Sequence, residues 1–493
     1  MSAPVPGNPA PVARIALCGS GLALRMTAAA LVRHLPPTIQ LLCVNCEDAP
    51  ATDVFLGSVA PPAAYAFNLA AGVTEPRLLL DTATAFSWGT QYSGWGGAQA
   101  AWLQCFHLPL PVAGGVMFHH YLARLGLRDL EPFLLSAVAA RHGVFAHPLE
   151  KGAQLMARGE YGYQFDAQSY QVPFAAAAVA GKAQVIAAKL AGVELAGDRI
   201  AALRLADGQS VRADLYVDCT GPEASLLSRL AGNFTAGRRL RAVMTRRPTD
   251  ELGAPCRKLT GADYGWQSET PLQGINARLT VFAAESESRA LAAHALPPQV
   301  TADIRLGRRP RPWLGNCVAV GQAAGVLEPL THAPMMLLQR DIERLASLIP
   351  FTTDMLVESR EYNRQCEADY SHAELFNRAL FETAPVPDSV YWKEAREEPV
   401  AEKLAVKIAQ FESRGLLVAY DLEPFNPEDW TILHHGMGRH PARYDRVADR
   451  TSDAEVQQYL ATRRGDIDKL VRSMPSHHRY VTHLAEHLRQ RNL

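Results

Sequence analysis

The chain has 493 residues, 48% of them hydrophobic, and its 49 Lys and Arg nearly cancel its 50 Asp and Glu. That balance excludes the basic footprint of a nucleic-acid partner. No apolar run is long enough to cross a bilayer, so no membrane partner is expected, and the length allows two or three domains or one elaborated α/β unit.

Residues 1–12 are Pro-rich and lack a basic stretch followed by an apolar one, which reads as a disordered tail, with a cytoplasmic location expected. Arg14 to Cys18 then reads as a buried strand, Gly19-Ser20-Gly21 as a turn, Leu22 to His34 as a helix and Gln40 to Cys46 as a second strand. This βαβ pattern opens a dinucleotide-binding fold, with a pyrophosphate expected at the helix N-terminus, although Leu24 stands where the third glycine of G-x-G-x-x-G belongs. Glu47, or next to it Asp48, is the acidic residue expected to meet a ribose. Cys43-Val44-Asn45-Cys46 is formally C-x-x-C, but no second pair accompanies it, and buried strand positions are the expectation for its thiols.

Val193 to Ala213 alternates like a hairpin around Asp207-Gly208. Arg212 to Gly221 forms a second strand–turn unit whose apolar run ends in Asp218. The strand Cys317 to Val320 runs into Gly321-x-x-x-Gly325, which with Ala324 predicts a corner where backbone approaches a flat ligand closely. From about Pro350 the pattern is charged and helical, as in Glu358 to Glu374 and Val400 to Arg414, and it closes in a polar His- and Arg-rich tail. His119-His120 and His434-His435 lack a third ligand at metal spacing, and adjacent histidines are expected to point apart, so no metal site is predicted.

Five stretches together resemble the flavin-dependent tryptophan halogenases over nearly the whole chain. Leu56-Gly57-Ser58-Val59-Ala60-Pro61-Pro62 stands where the family has G-E-A-T-x-P, and Tyr161 to Ala167 resembles Y-x-Y-H-F-D-A. Ala213 to Gly221 resembles A-D-x-x-x-D-x-S-G, and Asn316 to Leu330 resembles N-C-V-A-I-G-x-A-A-G-F-x-E-P-L. Trp430 to Asp449 is similar to W-x-x-V-L-x-G-x-G-x-x-P-x-x-Y-x-x-L-A-D.

The resemblance implies an α/β fold: a Rossmann-like, FAD-binding flavoprotein monooxygenase unit over 13–350, with substrate-binding insertions at about 60–180 and 230–300 and a mainly helical part over 351–493. It implies FAD, delivered reduced by a separate flavin reductase, a small aromatic substrate and a homodimer. Gly19, Ser20, Gly21, Glu47, Gly57, Ser58, Asp218, Gly321, Ala324 and Gly325 are the expected cofactor contacts. Trp88, Trp95, Phe106, Glu328 and Pro329 are the expected substrate pocket. In such enzymes reduced FAD, oxygen and halide yield a hypohalous oxidant, which a lysine carries to the substrate with help from a glutamate.

The chain departs from that apparatus at four places. Ser87 stands at the lysine position, and no lysine precedes Lys151; a hydroxyl has no amine to form a chloramine. Thr331 replaces the glutamate of E-P-L-E-S, and His332 replaces the serine. Pro334 follows where backbone amides would hold halide, and proline has no N–H to donate. In W-x-W-x-I-P the second tryptophan is Ser268. His332 is the candidate for new chemistry, as a general base near neutral pH; the competing expectation is a histidine that caps or packs against Trp88. The sequence therefore predicts an FAD-dependent monooxygenase or oxidase acting on an aromatic substrate without halogenation. A non-catalytic flavin- or ligand-binding homologue of an active paralogue is one alternative, and a halogenase with a relocated amine is another.

Overall fold

The computed structural model describes residues 9–47, 49–95, 101–106, 112–113, 115–148, 159–382, 388–397 and 399–491; Asp48, Lys151 and residues 1–8 lie outside them. Strand Arg14–Ser20 is the centre of a six-stranded sheet, flanked by Gln40–Glu47 and Leu215–Cys219 in parallel. Beyond these lie Gln184–Ala187 on one side and Cys317–Ala319 on the other, with Trp313–Leu314 closing the edge antiparallel. The near-continuous apolar runs of the inner strands follow from burial on both faces. Helix Gly21–His34 starts at the first corner and packs against helix Ala167–Ala180.

The second glycine corner sits at the end of Cys317–Ala319 and is locked from behind. Gly321 N–H donates to Asp341 at 3.0 Å, and the Tyr370 hydroxyl donates to the Gly321 carbonyl at 3.1 Å. A side chain at Gly325 would meet Tyr370 at 2.5 Å, so this glycine is required by close helix packing. Tyr370 belongs to helix Leu356–Ala379, so the helical part is built directly onto the corner.

An eight-stranded sheet forms the second layer. Its order is Gly325–Val326, Val300–Arg308, Thr235–Pro248, Ile275–Phe282, Gly265–Leu272, Arg257–Ala262, Gly89–Ser93 and Trp102–Cys105. Short strands Val59–Ala60, Gly162–Gln164 and Ala85–Ser87 make a separate antiparallel sheet. Leu190–Ala196, Arg199–Leu205 and Ser210–Val211 form an antiparallel meander, with the Asp207-Gly208 turn joining its last two strands.

The C-terminal part is helical as expected, and its polar tail forms helix His477–Gln490 because Val481, Ala485 and Leu488 fall on one face and are buried. Two expectations need correction. The N-terminal tail is tied down from Ala10, whose carbonyl accepts from Thr353 N–H, while Val12 N–H donates to the Phe351 carbonyl. The His119 and His120 rings lie 4.3 Å apart instead of diverging; among the described residues no group of three metal-ligating side chains forms. No helix among the described residues is long and apolar enough to cross a membrane.

Candidate functional site

The first corner opens on a cavity of about 590 Å³, bounded by Ser20, Glu47, Thr220, Arg309 and Gln322. A smaller chamber of about 240 Å³ shares its Pro50–Asp53 wall and reaches Gly57, Asp166 and Arg246. Ser20, Glu47 and the corner residue Gln322 therefore line one cavity. Cationic Arg239, Arg305 and Arg309 line it together with acidic Glu47, Glu223 and Asp303.

Several predicted cofactor residues have other partners. Asp218 is fully buried and accepts from four donors: Thr220 N–H (3.0 Å) and hydroxyl (2.6 Å), Leu226 N–H (2.9 Å) and Leu227 N–H (2.8 Å). It shapes the Thr220–Leu227 turn, whose first residues line the cavity. Ala324 is buried, and its N–H donates to the Gly321 carbonyl at 2.9 Å. Gly19 pairs in register with Cys219. Ser58 shares a 2.8 Å hydrogen bond with Thr270, and Gly57 lies against Pro329, which links the cavity wall to the second candidate region.

That region is the turn from Glu328 to Pro334. Glu328 is buried and has five polar contacts: its carboxylate accepts from Trp266 Nε1 (2.7 Å), the Tyr391 hydroxyl (2.7 Å) and Arg238, and its carbonyl accepts from Asn377 (2.8 Å) and Leu330 N–H (2.8 Å). Its oxygens are engaged within the chain. The Pro329 carbonyl accepts from Arg257 Nη1 at 2.8 Å, and the Leu330 carbonyl from the Tyr92 hydroxyl (2.9 Å) and Arg257 Nη2. Thr331 donates to Asn377 and accepts from Ala333 N–H, each at 3.2 Å. Pro334 falls in the first turn of helix Ala333–Ser347, where a missing N–H is tolerated, and Met336 N–H donates to the His332 carbonyl.

His332 is half-buried, with its ring 5.4 Å from Phe106 and 6.0 Å from Phe425. It does not pack on Trp88. Burial, with the charge of Arg257 adding, lowers its imidazole to about 4, so it is neutral around pH 7 and a weaker base there than the sequence suggests. Its ring has no hydrogen-bond partner among the described residues.

Of the predicted aromatic pocket, only Phe106 reaches His332. Trp88 is fully buried against Phe145 and donates to the Val144 carbonyl at 3.0 Å. Trp95 packs on Trp392 and Phe381 and donates to the Leu380 carbonyl at 2.7 Å. Both are core residues because the flanking strands turn them inward. Ser87 is fully buried, and its hydroxyl folds back on Gly89, accepting from the N–H at 3.1 Å and donating to the carbonyl at 3.3 Å.

Sequence reading passed over Arg257. It is fully buried, it has no carboxylate partner among the described residues, and its Nε lacks a hydrogen bond. Burial lowers its guanidinium to about 10. Ser268, opposite Leu259 two positions along the same strand, is also buried with an unpartnered hydroxyl. An arginine in an apolar strand context carries no local signal of this kind. Lys407, the one buried lysine among the described residues, is committed to Glu423 at 2.9 Å and to the Val418 carbonyl.

A family model described as tryptophan halogenase matches residues 14–453. Tryptophan 6-halogenase ThaL of Streptomyces albogriseolus is 24% identical over 435 residues, 80% of this chain and 81% of its own length. Among solved structures, BrvH, a flavin-dependent halogenase from Brevundimonas sp. BAL3, superposes with a TM-score of 0.88 at 28% identity, over 96% of this chain and 99% of BrvH. Xcc4156, a flavin-dependent halogenase from Xanthomonas campestris, gives 0.86 at 25% identity, over 97% and 98%.

Proposed function

The chain belongs to the tryptophan halogenase family, and from that premise we propose an FAD-dependent oxidoreductase that oxygenates or oxidises an aromatic substrate without the halogenating apparatus. The supporting observation is the state of the Thr331–Met336 turn. Ala333 N–H is satisfied by Thr331, Pro334 has none, and Met336 N–H is satisfied by the His332 carbonyl. The two positions after His332, Ala333 and Pro334, therefore offer halide no free N–H. Ser87, buried and bonded to Gly89, adds neither an ammonium nor space for one.

The residues at the first corner fit FAD. The amide of Leu22 holds a carboxylate oxygen of Asp53 at 2.9 Å, an anion standing where a dinucleotide phosphate oxygen would be held. Ser20, Gly21 and Leu22 would hold the pyrophosphate, Glu47 the ribose, and Gln322 would border the ring. Once bound in the reduced form, supplied by a separate reductase, FAD brings the electrons that activate oxygen. The half-buried, neutral His332 ring, beside the buried rings of Phe106 and Phe425, offers a nitrogen to accept a substrate proton.

The test is product analysis with reduced FAD, oxygen and a panel of indoles and phenols, with and without bromide. Oxygenated product without halide is the expected result, and brominated product from the natural chain overturns the reading. The double variant Ser87→Lys/Thr331→Glu should remain unable to brominate while Pro334 is in place. Asp53 on the helix N-terminus favours one second reading, a homologue that no longer loads flavin. Stoichiometric FAD binding by the purified protein decides against it.

A further inference from the structure

Helix Gly21–His34 has no acidic residue in its first turn and no side-chain cap from Ser20. Its anionic partner comes from elsewhere in the chain. Asp53 Oδ2 accepts from Leu22 N–H at 2.9 Å, and a side chain at Gly21 would meet that oxygen at 2.2 Å, so the carboxylate lies directly over the glycine. Asp53 is only 8% exposed and stands in the wall between the two chambers. Its 3₁₀ turn, Ala51–Leu56, is held at the other corner as well, where Gln322 Nε2 donates to the Thr52 carbonyl at 2.8 Å. One short segment thus spans both corners that a dinucleotide would bridge.

A helix N-terminus attracts carboxylate and phosphate oxygens through the same N–H groups and the same dipole. Both cannot occupy one amide. We propose that Asp53 is a built-in competitor for the pyrophosphate seat, so that FAD loads only when this carboxylate is displaced. The inference rests on the FAD reading above.

Competition of this kind depends on charge. The groups facing Asp53 are Glu47 from the second strand and Asp166 from the Tyr161–Ala167 segment, with Arg246 nearby but paired to Asp166 at 2.6 Å. Across the cavity stand Glu223 and Asp303 with Arg239, Arg305 and Arg309. Burial raises the Asp53 carboxyl to about 7, Glu47 and Asp166 adding to the rise against the Leu22 N–H. Below that pH the group is neutral and neither holds the helix strongly nor repels phosphate. Above it the carboxylate is ionised and does both, so FAD affinity falls as pH rises through about 7.

The experiment is an FAD titration, read by flavin fluorescence, of the natural chain, Asp53→Asn and Asp53→Ser at pH 6 and pH 8, with circular dichroism confirming that each is folded. If only the protonated form is competent, the natural chain should bind about tenfold more weakly at pH 8 than at pH 6. Both variants should bind about tenfold more tightly than the natural chain at pH 8 and lose most of the pH dependence. Equal affinities and equal pH profiles in all three proteins overturn the role of Asp53 and leave the FAD reading standing. Absence of FAD binding in all three at both pH values overturns the FAD reading and this inference together.

Discussion

The corner at Gly19–Leu22 and the turn at Glu328–Pro334 both carry family motifs, yet they end in opposite states. Around the first corner, charged side chains of both signs line a cavity, and the Leu22 amide is held by the Asp53 carboxylate, which burial raises to about 7. Around the second, the acceptors and most of the donors already have partners inside the chain: Arg257 and Tyr92 on the carbonyls, Thr331 on the helix amide, and Arg238, Trp266 and Tyr391 on Glu328. A motif makes a binding site only where its hydrogen-bonding groups stay available. The same glycines and prolines, once saturated, make a wall.

The contrast can be broken most severely at Glu328. Glu328→Ala strips part-buried Arg238 of its paired carboxylate and leaves buried Trp266 and Tyr391 donors without an acceptor, so it should cost about 3–5 kcal/mol in urea unfolding; a loss below about 1 kcal/mol would mean the carboxylate is not holding the turn. Asp218→Ala comes next. It strips four donors of their acceptor in a buried place, so a loss of about 3 kcal/mol is expected, with the cavity edge at Thr220–Leu227 loosened in hydrogen exchange.

Arg257→Met probes the opposite arrangement, a buried cation without a carboxylate. Two charge-assisted bonds to carbonyls are lost while a desolvation penalty is relieved, so the net cost should be about 1–2 kcal/mol. The sharper readout is His332. Removing the neighbouring positive charge should move its imidazole up from about 4, measured by NMR titration, and an unmoved pKa would show that burial alone sets it. The smallest effect is expected at Thr331→Val, which removes the oxygen that accepts from Ala333 N–H and should cost about 1 kcal/mol, as helix caps do. Freed of Thr331, that amide would still lack Pro334 as a fellow donor, so bromide should bind no better by isothermal titration.

Much of this architecture was legible in the chain itself. The strand–glycine–helix opening, the Asp218 strand and the strand leading into Gly321 carry apolar runs and breakers whose meaning is local, and all three appear in the six-stranded sheet within about three residues of their expected ends. What the glycines do there was less legible. Gly325 answers to Tyr370, a residue whose proximity depends on helix packing and not on its neighbours in sequence. Likewise Trp88 and Trp95 read as pocket residues but belong to the core, since which face of a strand is buried is set by the sheets packed on it.

By itself the sequence carried the family resemblance and the residue identities on which the proposed loss of halogenation rests. Ser87 has no amine and Pro334 has no N–H in any fold, and those two facts need only covalent chemistry. Tertiary structure alone decided who meets whom: Asp53 against Leu22, Arg257 beneath the Pro329–Leu330 carbonyls, and Phe106 with Phe425 around His332. Each of these contacts joins segments far apart in the chain, and each depends on strand register and helix docking, which local composition does not encode. For that reason the sequence could name the glycine corner but not the carboxylate that sits in it.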